Sequence, residues 1–236
     1  MKQIDHQEIY NLLKCTDDNK RLEWLKTKLN DLEIPYVVDT FYSNKYLRFF
    51  NNIISTGDSD KWVIAHFDTV RPEFCANDNT ASVINLIRLK ALFPSLNVAL
   101  LDGEEPPYLG IGSNRLSTQI VNNVYQAKWI LNLELTGVGY NICLGQRQQG
   151  ILKDLFSNFR NGFEEIFVPF SDSDILDKYK IPNVVLFTLP SNPDGSSDHK
   201  FIWYCHSSKD HPGIITPETM LYLTDDYLKE FLEQNI

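Results

Sequence analysis

The 236-residue sequence predicts an α/β protein, a three-layer α/β/α sandwich with a mixed, mainly parallel central sheet. Two observations predict it. From Lys61 onward, short apolar runs alternate with segments whose apolar residues recur at helical spacing. Parallel strands need crossover helices, and those helices cover both faces of the sheet. The composition, 43 % hydrophobic and 22 % charged, is that of an ordinary globular chain, and no run is long and apolar enough to span a bilayer. We expect one domain over residues 1–236: residues 1–60 give N-terminal helices and the first strands, and residues 61–236 give the core.

The elements follow in order. Residues 5–14 and about 17–31 have helical spacing, the second through Leu22, Leu25, Leu29 and Leu32, with Asp17 and Asp18 as cap candidates. Pro35 ends that section, and strand-like runs follow at Tyr36–Phe41 and Tyr46–Ile54. WVIAHF then reads as a strand, ASVINLIRLKALF as a helix, NVALL as a strand and GIGSNRLSTQIV as a helix. KWILNLEL is a strand, GILKDLFSNFR a helix, EEIFVPF a strand, SDILDKY a helix and NVVLFTL a strand. A long helix from Pro217 to Gln234 closes the chain. Spacing does not fix the strand order.

The formal net charge of -9 argues against a general affinity for nucleic acid or anionic membrane. Asp5 and Glu8 fall where a signal peptide needs an apolar stretch, so the expected compartment is the cytoplasm. Cys15, Cys75, Cys143 and Cys205 are widely spaced, form no CxxC pair, and are expected to be reduced there. Oligomeric state is not legible.

The informative pattern is where polar residues interrupt the strands, because ligands in such folds bind beyond the strands' carboxyl ends. WVIAHFD ends in His66 and Asp68, which share a strand face, and Asn77-Asp78-Asn79 follows just before a helix. NVALLDGEE ends in Asp102, Glu104 and Glu105. Glu134 lies inside an apolar strand, and His206 lies in a loop after Trp203. Each has a plain alternative: a hydrogen-bonded His–Asp pair, a helix N-cap at Asp78 (or at Asn77 or Asn79), a solvated Glu104-Glu105 pair, a loop histidine. Glu134 is the hardest to explain away, since an ionised carboxylate in an apolar strand is costly unless paired or bound to a cation. Together the pieces fit a pair of Zn²⁺ ions, which needs a bridging carboxylate plus nitrogen and oxygen ligands on either side. Asp68 is then free to orient His66, and Glu104 to act as a base.

These residues resemble the zinc aminopeptidases of the aminopeptidase Y/aminopeptidase S type, whose relatives include glutamate carboxypeptidase II and the glutaminyl cyclases. The likeness runs from about Trp62 to His211: AHFDTV resembles the family's H-x-D strand, CANDNTASV its A-N-D-N-x-S-G, and LLDGEEPPYLGIGS its D-G-E-E…G-S. NLEL resembles its N-L-D, SDSDILDKYKIPNVVLF its S-D-x-x-x-F…G-I-P, and CHSSKD its H-T-x-x-D. The resemblance implies a zinc-dependent exopeptidase-like fold and metal ligands at His66, Asp78, Glu105, Glu134 and His206. It further implies Asp78 as the bridge, Glu104 as general base with Asp68 behind His66, and two zinc ions as cofactor. The substrate class would be a peptide or small aminoacyl compound, opened at its N-terminal residue. This sequence departs from the family at Glu134, where Asp is usual, at Ser173, where many relatives have His, and at Lys180, where Gly is usual.

Rival expectations are a glutaminyl-cyclase-like acyl transfer with one zinc, a carboxypeptidase using Arg71, Arg115 or Lys209 to hold a carboxylate, and a non-catalytic relative. Cys75 and Cys205 are expected to be small packing residues rather than ligands. Serine-nucleophile and dinucleotide motifs are lacking: there is no GxSxG, and the GxG fragments at Gly110 and Gly137 stand alone.

Overall fold

The computed structural model describes residues 8, 11, 12, 17–147, 150–160 and 162–236. The helix expected over residues 5–14 therefore falls outside the described residues, except at positions 8, 11 and 12, which are helical, and Cys15 also falls outside. Helix α1 (Asp18–Asp31) begins at the cap that Asp17 makes by accepting from the Lys20 amide. Its Leu22, Leu25 and Leu29 are buried against the sheet, as their spacing requires.

Strands β1 (Val37–Ser43) and β2 (Arg48–Ser55) form a hairpin, and β3 (Lys61–His66), β4 (Asn97–Leu101) and β5 (Trp129–Leu133) follow with β6 (Asn141–Gly145), β7 (Glu164–Ile166) and β8 (Asn183–Leu189). The order across the eight-stranded sheet is β1-β2-β4-β3-β5-β8-β6-β7. The four central strands, β4, β3, β5 and β8, are mutually parallel, whereas β2 joins β4 and β6 joins β8 antiparallel. All residues of these four strands are buried except Lys61 at its edge, as expected for a sheet covered on both faces.

Alternate side chains go to opposite layers. Val63 and Ala65 of β3 pack with α1, with α2 (Ser82–Leu92), with α4 (Ile151–Ser157) and with the C-terminal helical segment. Trp62 and Ile64 pack on the other face with Leu116 of α3 (Ile111–Val121) and Leu176 of α5 (Asp172–Lys178). The C-terminal segment runs through α6 (Pro217–Leu221), a more widely wound stretch (Tyr222–Tyr227) and α7 (Leu228–Asn235). No helix among the described residues is long and apolar enough to cross a membrane.

Three elements differ from expectation. KWILNLEL is a strand only as far as Leu133, so Glu134 lies just past the end of β5 rather than inside it. NICLG, unassigned in the sequence, is strand β6, paired with β8 and β7; all its residues but Asn141 are buried, so the short run shows no alternation. EEIFVPF is a strand only over Glu164–Ile166; Pro169 has no amide to give a ladder.

Phe231 of α7 is fully buried and stacks on Phe156 with ring centroids 4.0 Å apart, its ring meeting that of Phe159 edge-on at 5.4 Å. Phe231→Ala is expected to cost about 3–5 kcal/mol of stability through the cavity it leaves. Chemical denaturation checks this, and a loss below about 1 kcal/mol would mean the layer repacks freely.

Candidate metal centre

The parallel register brings the first two site residues together. Ile64 of β3 lies opposite Asn132 of β5, so two residues further on His66 and Glu134 leave adjacent strands side by side. Glu134 Oε2 lies 3.4 Å from His66 Nε2, and Glu134 Oε1 accepts from Asn132 Nδ2 at 3.2 Å. The extra methylene of Glu134 thus leaves its carboxylate within reach of the histidine.

Asp78 comes from the turn Ala76–Ala81, which leads directly into α2. Its carboxylate reaches both histidines by different oxygens: Oδ1 is 3.4 Å from His66 Nε2 and Oδ2 is 3.2 Å from His206 Nε2. Asp78 therefore does not cap α2, and neither do its neighbours. Asn77 accepts from the Gly137 amide, while Asn79 accepts from Leu135 and donates to the Leu133 carbonyl, stitching the turn to the end of β5. The backbone amides of Asn77 and Asp78 donate to the two carboxylate oxygens of Asp210 at 2.7 and 2.9 Å. The last residue of the CHSSKD segment thus fixes the turn that carries Asp78.

Glu104 and Glu105 leave β4 through Gly103, whose φ of +83° and close approach to Ile111 and Phe50 (2.5 and 2.8 Å from an added Cβ) admit no side chain. Their amides donate to the Asp68 carboxylate at 3.1 and 3.0 Å. Asp68 Oδ1 also lies 3.4 Å from His66 Nδ1, on the opposite side of the ring from the Nε2 cluster. One carboxylate accordingly faces His66 and anchors the DGEE segment together.

His206 reaches in from the loop after the helical turn His199–Tyr204, in the left-handed backbone region at φ +59°. Its Nε2 is 2.9 Å from Glu105 Oε2. Its side chain is 41 % exposed, whereas those of the four other predicted ligands are under 10 %.

Two sets of donors result, His66/Asp78/Glu134 and Asp78/Glu105/His206, with Asp78 common to both. Donors around one zinc at about 2.0–2.2 Å stand about 3.3–3.6 Å apart at tetrahedral angles. Three of the four nitrogen–oxygen separations, 3.2, 3.4 and 3.4 Å, are close to that edge length, and the fourth is a direct hydrogen bond. The donor set therefore fits a pair of cations with N/O preference. A third grouping, His66/Glu104/Glu105, overlaps these two. Glu104 Oε2 is 3.9 Å from His66 Nε2, farther than Asp78 or Glu134, which leaves Glu104 as the carboxylate beside the sets rather than within one.

The electrostatics point the same way. Burial pushes Glu104 well above the usual carboxylate range against the pull of His66, and the charges of Glu134, Asp172 and Glu105 add to it. Burial, with Asp78 nearby, pushes Glu105 up to about 7. Burial alone would raise Asp78, but hydrogen bonds from His206 and His66 outweigh it and hold that carboxyl well below the usual range. Hydrogen bonds to Asp78 and Glu105 raise His206 to about 10. A cation that takes the His206 lone pair must therefore displace a proton at neutral pH, and apparent affinity should rise with pH toward about 10. Zinc titration at pH 7 in buffers of different ionisation enthalpy is expected to show proton release; heats independent of buffer would contradict it.

Sequence reading gave Asp172 no role, although it lies in the SDSD segment. It is fully buried at the start of α5, and burial pushes it up to about 7, with the charge of His66 opposing and those of Glu134 and Asp68 adding. The available signal was an acidic residue just after a strand and at a helix start. Cys75 is buried as expected, its thiol pushed up to about 11 by burial. Cys205 is half-buried, packs against the cluster of Leu135, Val185 and Phe187 and donates to the Ile202 carbonyl at 2.8 Å, while also lining the site cavity.

The centre opens into a cavity of about 300 Å³ whose other walls are apolar, among them Leu109, Val168, Phe170 and Trp203. No lysine or arginine among the described residues lines it. Arg115 is paired with both oxygens of Asp39, Lys209 lies over the Tyr204 ring, and Arg71 is exposed outside the cavity.

No family model and no curated protein matches the sequence. Solved structures do match. A glutaminyl cyclase from Porphyromonas gingivalis is similar at 16 % identity and TM-score 0.76, over 98 % of this chain and 97 % of that one. The LapA aminopeptidase of Legionella pneumophila is similar at 15 % and TM-score 0.72, over 99 % of this chain and 71 % of that one. A Zn-dependent exopeptidase from Parabacteroides distasonis is similar at 15 % and TM-score 0.70, over 96 % of both. The chain thus has the zinc-exopeptidase-like α/β fold, and the likeness extends beyond the segments from Trp62 onward, over 98 % of this chain.

Proposed function

We propose that this chain is a zinc-dependent metallo-exopeptidase that hydrolyses the N-terminal residue of peptides, with Glu104 as general base. The observation that carries the reading is the pair of histidine–carboxylate sets sharing Asp78, with the raised carboxyl of Glu104 beside both. His66, Asp78 and Glu134 would hold one ion, and Asp78, Glu105 and His206 the other. When bound, such a pair supplies Lewis acidity at the scissile carbonyl and at the attacking water. Glu104 accepts the proton of that water and returns it to the departing amine. Asp68 keeps the His66 ring oriented and the Glu104–Glu105 backbone fixed. No lysine or arginine among the described residues lines the cavity, which speaks against recognition of a C-terminal carboxylate by a basic side chain.

A second reading, acyl transfer of the glutaminyl-cyclase kind with one zinc, is favoured by the near end-to-end structural likeness to a cyclase. Metal analysis with a panel of aminoacyl-nitroanilides and N-terminal glutaminyl peptides, with and without chelator, separates the two. Two equivalents of zinc and chelator-sensitive nitroanilide hydrolysis are expected. Cyclisation with one zinc would assign the second reading, and protein that binds no zinc would overturn both.

A further inference from the structure

We propose that Arg21, on the N-terminal helix, is a positioning residue for the metal centre, its guanidinium holding both ends of the 67–80 segment that delivers Asp78. This rests on the metal-site reading above and deepens it. Arg21 is fully buried on α1, on the same face as Leu22, Leu25 and Leu29. Its Nε donates to the carbonyl of Phe67, the residue after His66. One terminal nitrogen donates to Thr80 Oγ1 at 3.0 Å, and the other contacts Cys75 Sγ at 3.8 Å. All three donors thus go to one segment, at its start and on either side of Asp78.

No carboxylate among the described residues pairs with Arg21 within 4.0 Å. Burying a charge carries a heavy desolvation cost, and apolar side chains of similar volume usually pack a core as well or better. Stability alone therefore gives no reason for a guanidinium here. What it provides, and a methionine cannot, is donors in a rigid fork that fix three points of a chain at once. The points it fixes span the 67–80 segment, on which the spacing of the two ligand sets depends.

The test compares zinc affinity, by competition with a chromophoric chelator, in the full chain and in Arg21→Met, Arg21→Lys, Thr80→Val and Leu29→Ala. Outer partners of metal ligands contribute about 10- to 100-fold to affinity. Arg21→Met is expected to lose affinity in that range, Arg21→Lys to restore part of it, and Thr80→Val, which removes one acceptor and keeps the volume, to lose less in the same direction. Leu29→Ala, a cavity on the same helix away from the segment, should lower the melting temperature and leave affinity unchanged. If Arg21→Met does not fold, Thr80→Val carries the comparison. Wild-type affinity in both Arg21→Met and Thr80→Val, or an equal loss in Leu29→Ala, would overturn the positioning role. A wild-type chain that binds no zinc would instead overturn the underlying site and this inference with it.

Discussion

Glu104→Gln should retain its metal and turn over roughly a thousandfold more slowly, the scale of losing a general base. The amide keeps the shape of the carboxylate but accepts no proton at any working pH. Both ligand sets remain complete, because Glu104 lies 3.9 Å from His66 Nε2 while Asp78 and Glu134 lie at 3.4 Å. Metal content and steady-state rate measured on one preparation provide the check. A variant with full metal and near-normal hydrolysis would remove Glu104 from the chemistry. Loss of metal together with activity would make it a ligand.

Asp78→Ala should empty both sites, because Asp78 is the one donor that both sets use. Losing a direct ligand should weaken each site beyond the about 10- to 100-fold that an outer partner contributes. Glu134→Ala and Glu105→Ala, each in a single set, should cost one ion apiece. This asymmetry distinguishes a shared bridge from two independent sites, and zinc stoichiometry on the three variants measures it. Retention of two ions by Asp78→Ala would remove the bridge. Both Asp78→Ala and Asp78→Asn keep the backbone amide that donates to Asp210, and Asp78→Asn, which also keeps the side chain's size while removing its charge, separates ligation from packing.

The strand-and-helix alternation was legible because buried parallel strands leave apolar runs and their crossover helices leave a 3.6-residue stripe. Polar residues at the strand ends were legible for the same reason, standing out against those runs; His66 and Glu134 are the clear cases. Less legible were residues whose role depends on distant backbone. Asp210 anchors the amides of Asn77 and Asp78 more than 130 positions away, and nothing near it in the chain announces this. Asn77 and Asn79 resemble helix caps by position, yet they are committed to the end of β5. Arg21 sits at a helix position that periodicity marks only as inward-facing. Strand β6 was hidden by its brevity, and Asp172 by its resemblance to an ordinary acidic residue at the start of a helix.

The donors come from five separate stretches between His66 and His206, joined only through the sheet and the loops beyond it. The set His66/Asp78/Glu134 therefore forms only when β3 and β5 pair, and the set Asp78/Glu105/His206 only when the segment after β4 and the loop carrying His206 have joined them. Once taken up, the ions would stabilise the assembled sheet by mass action, so that holding cargo and staying folded become one equilibrium.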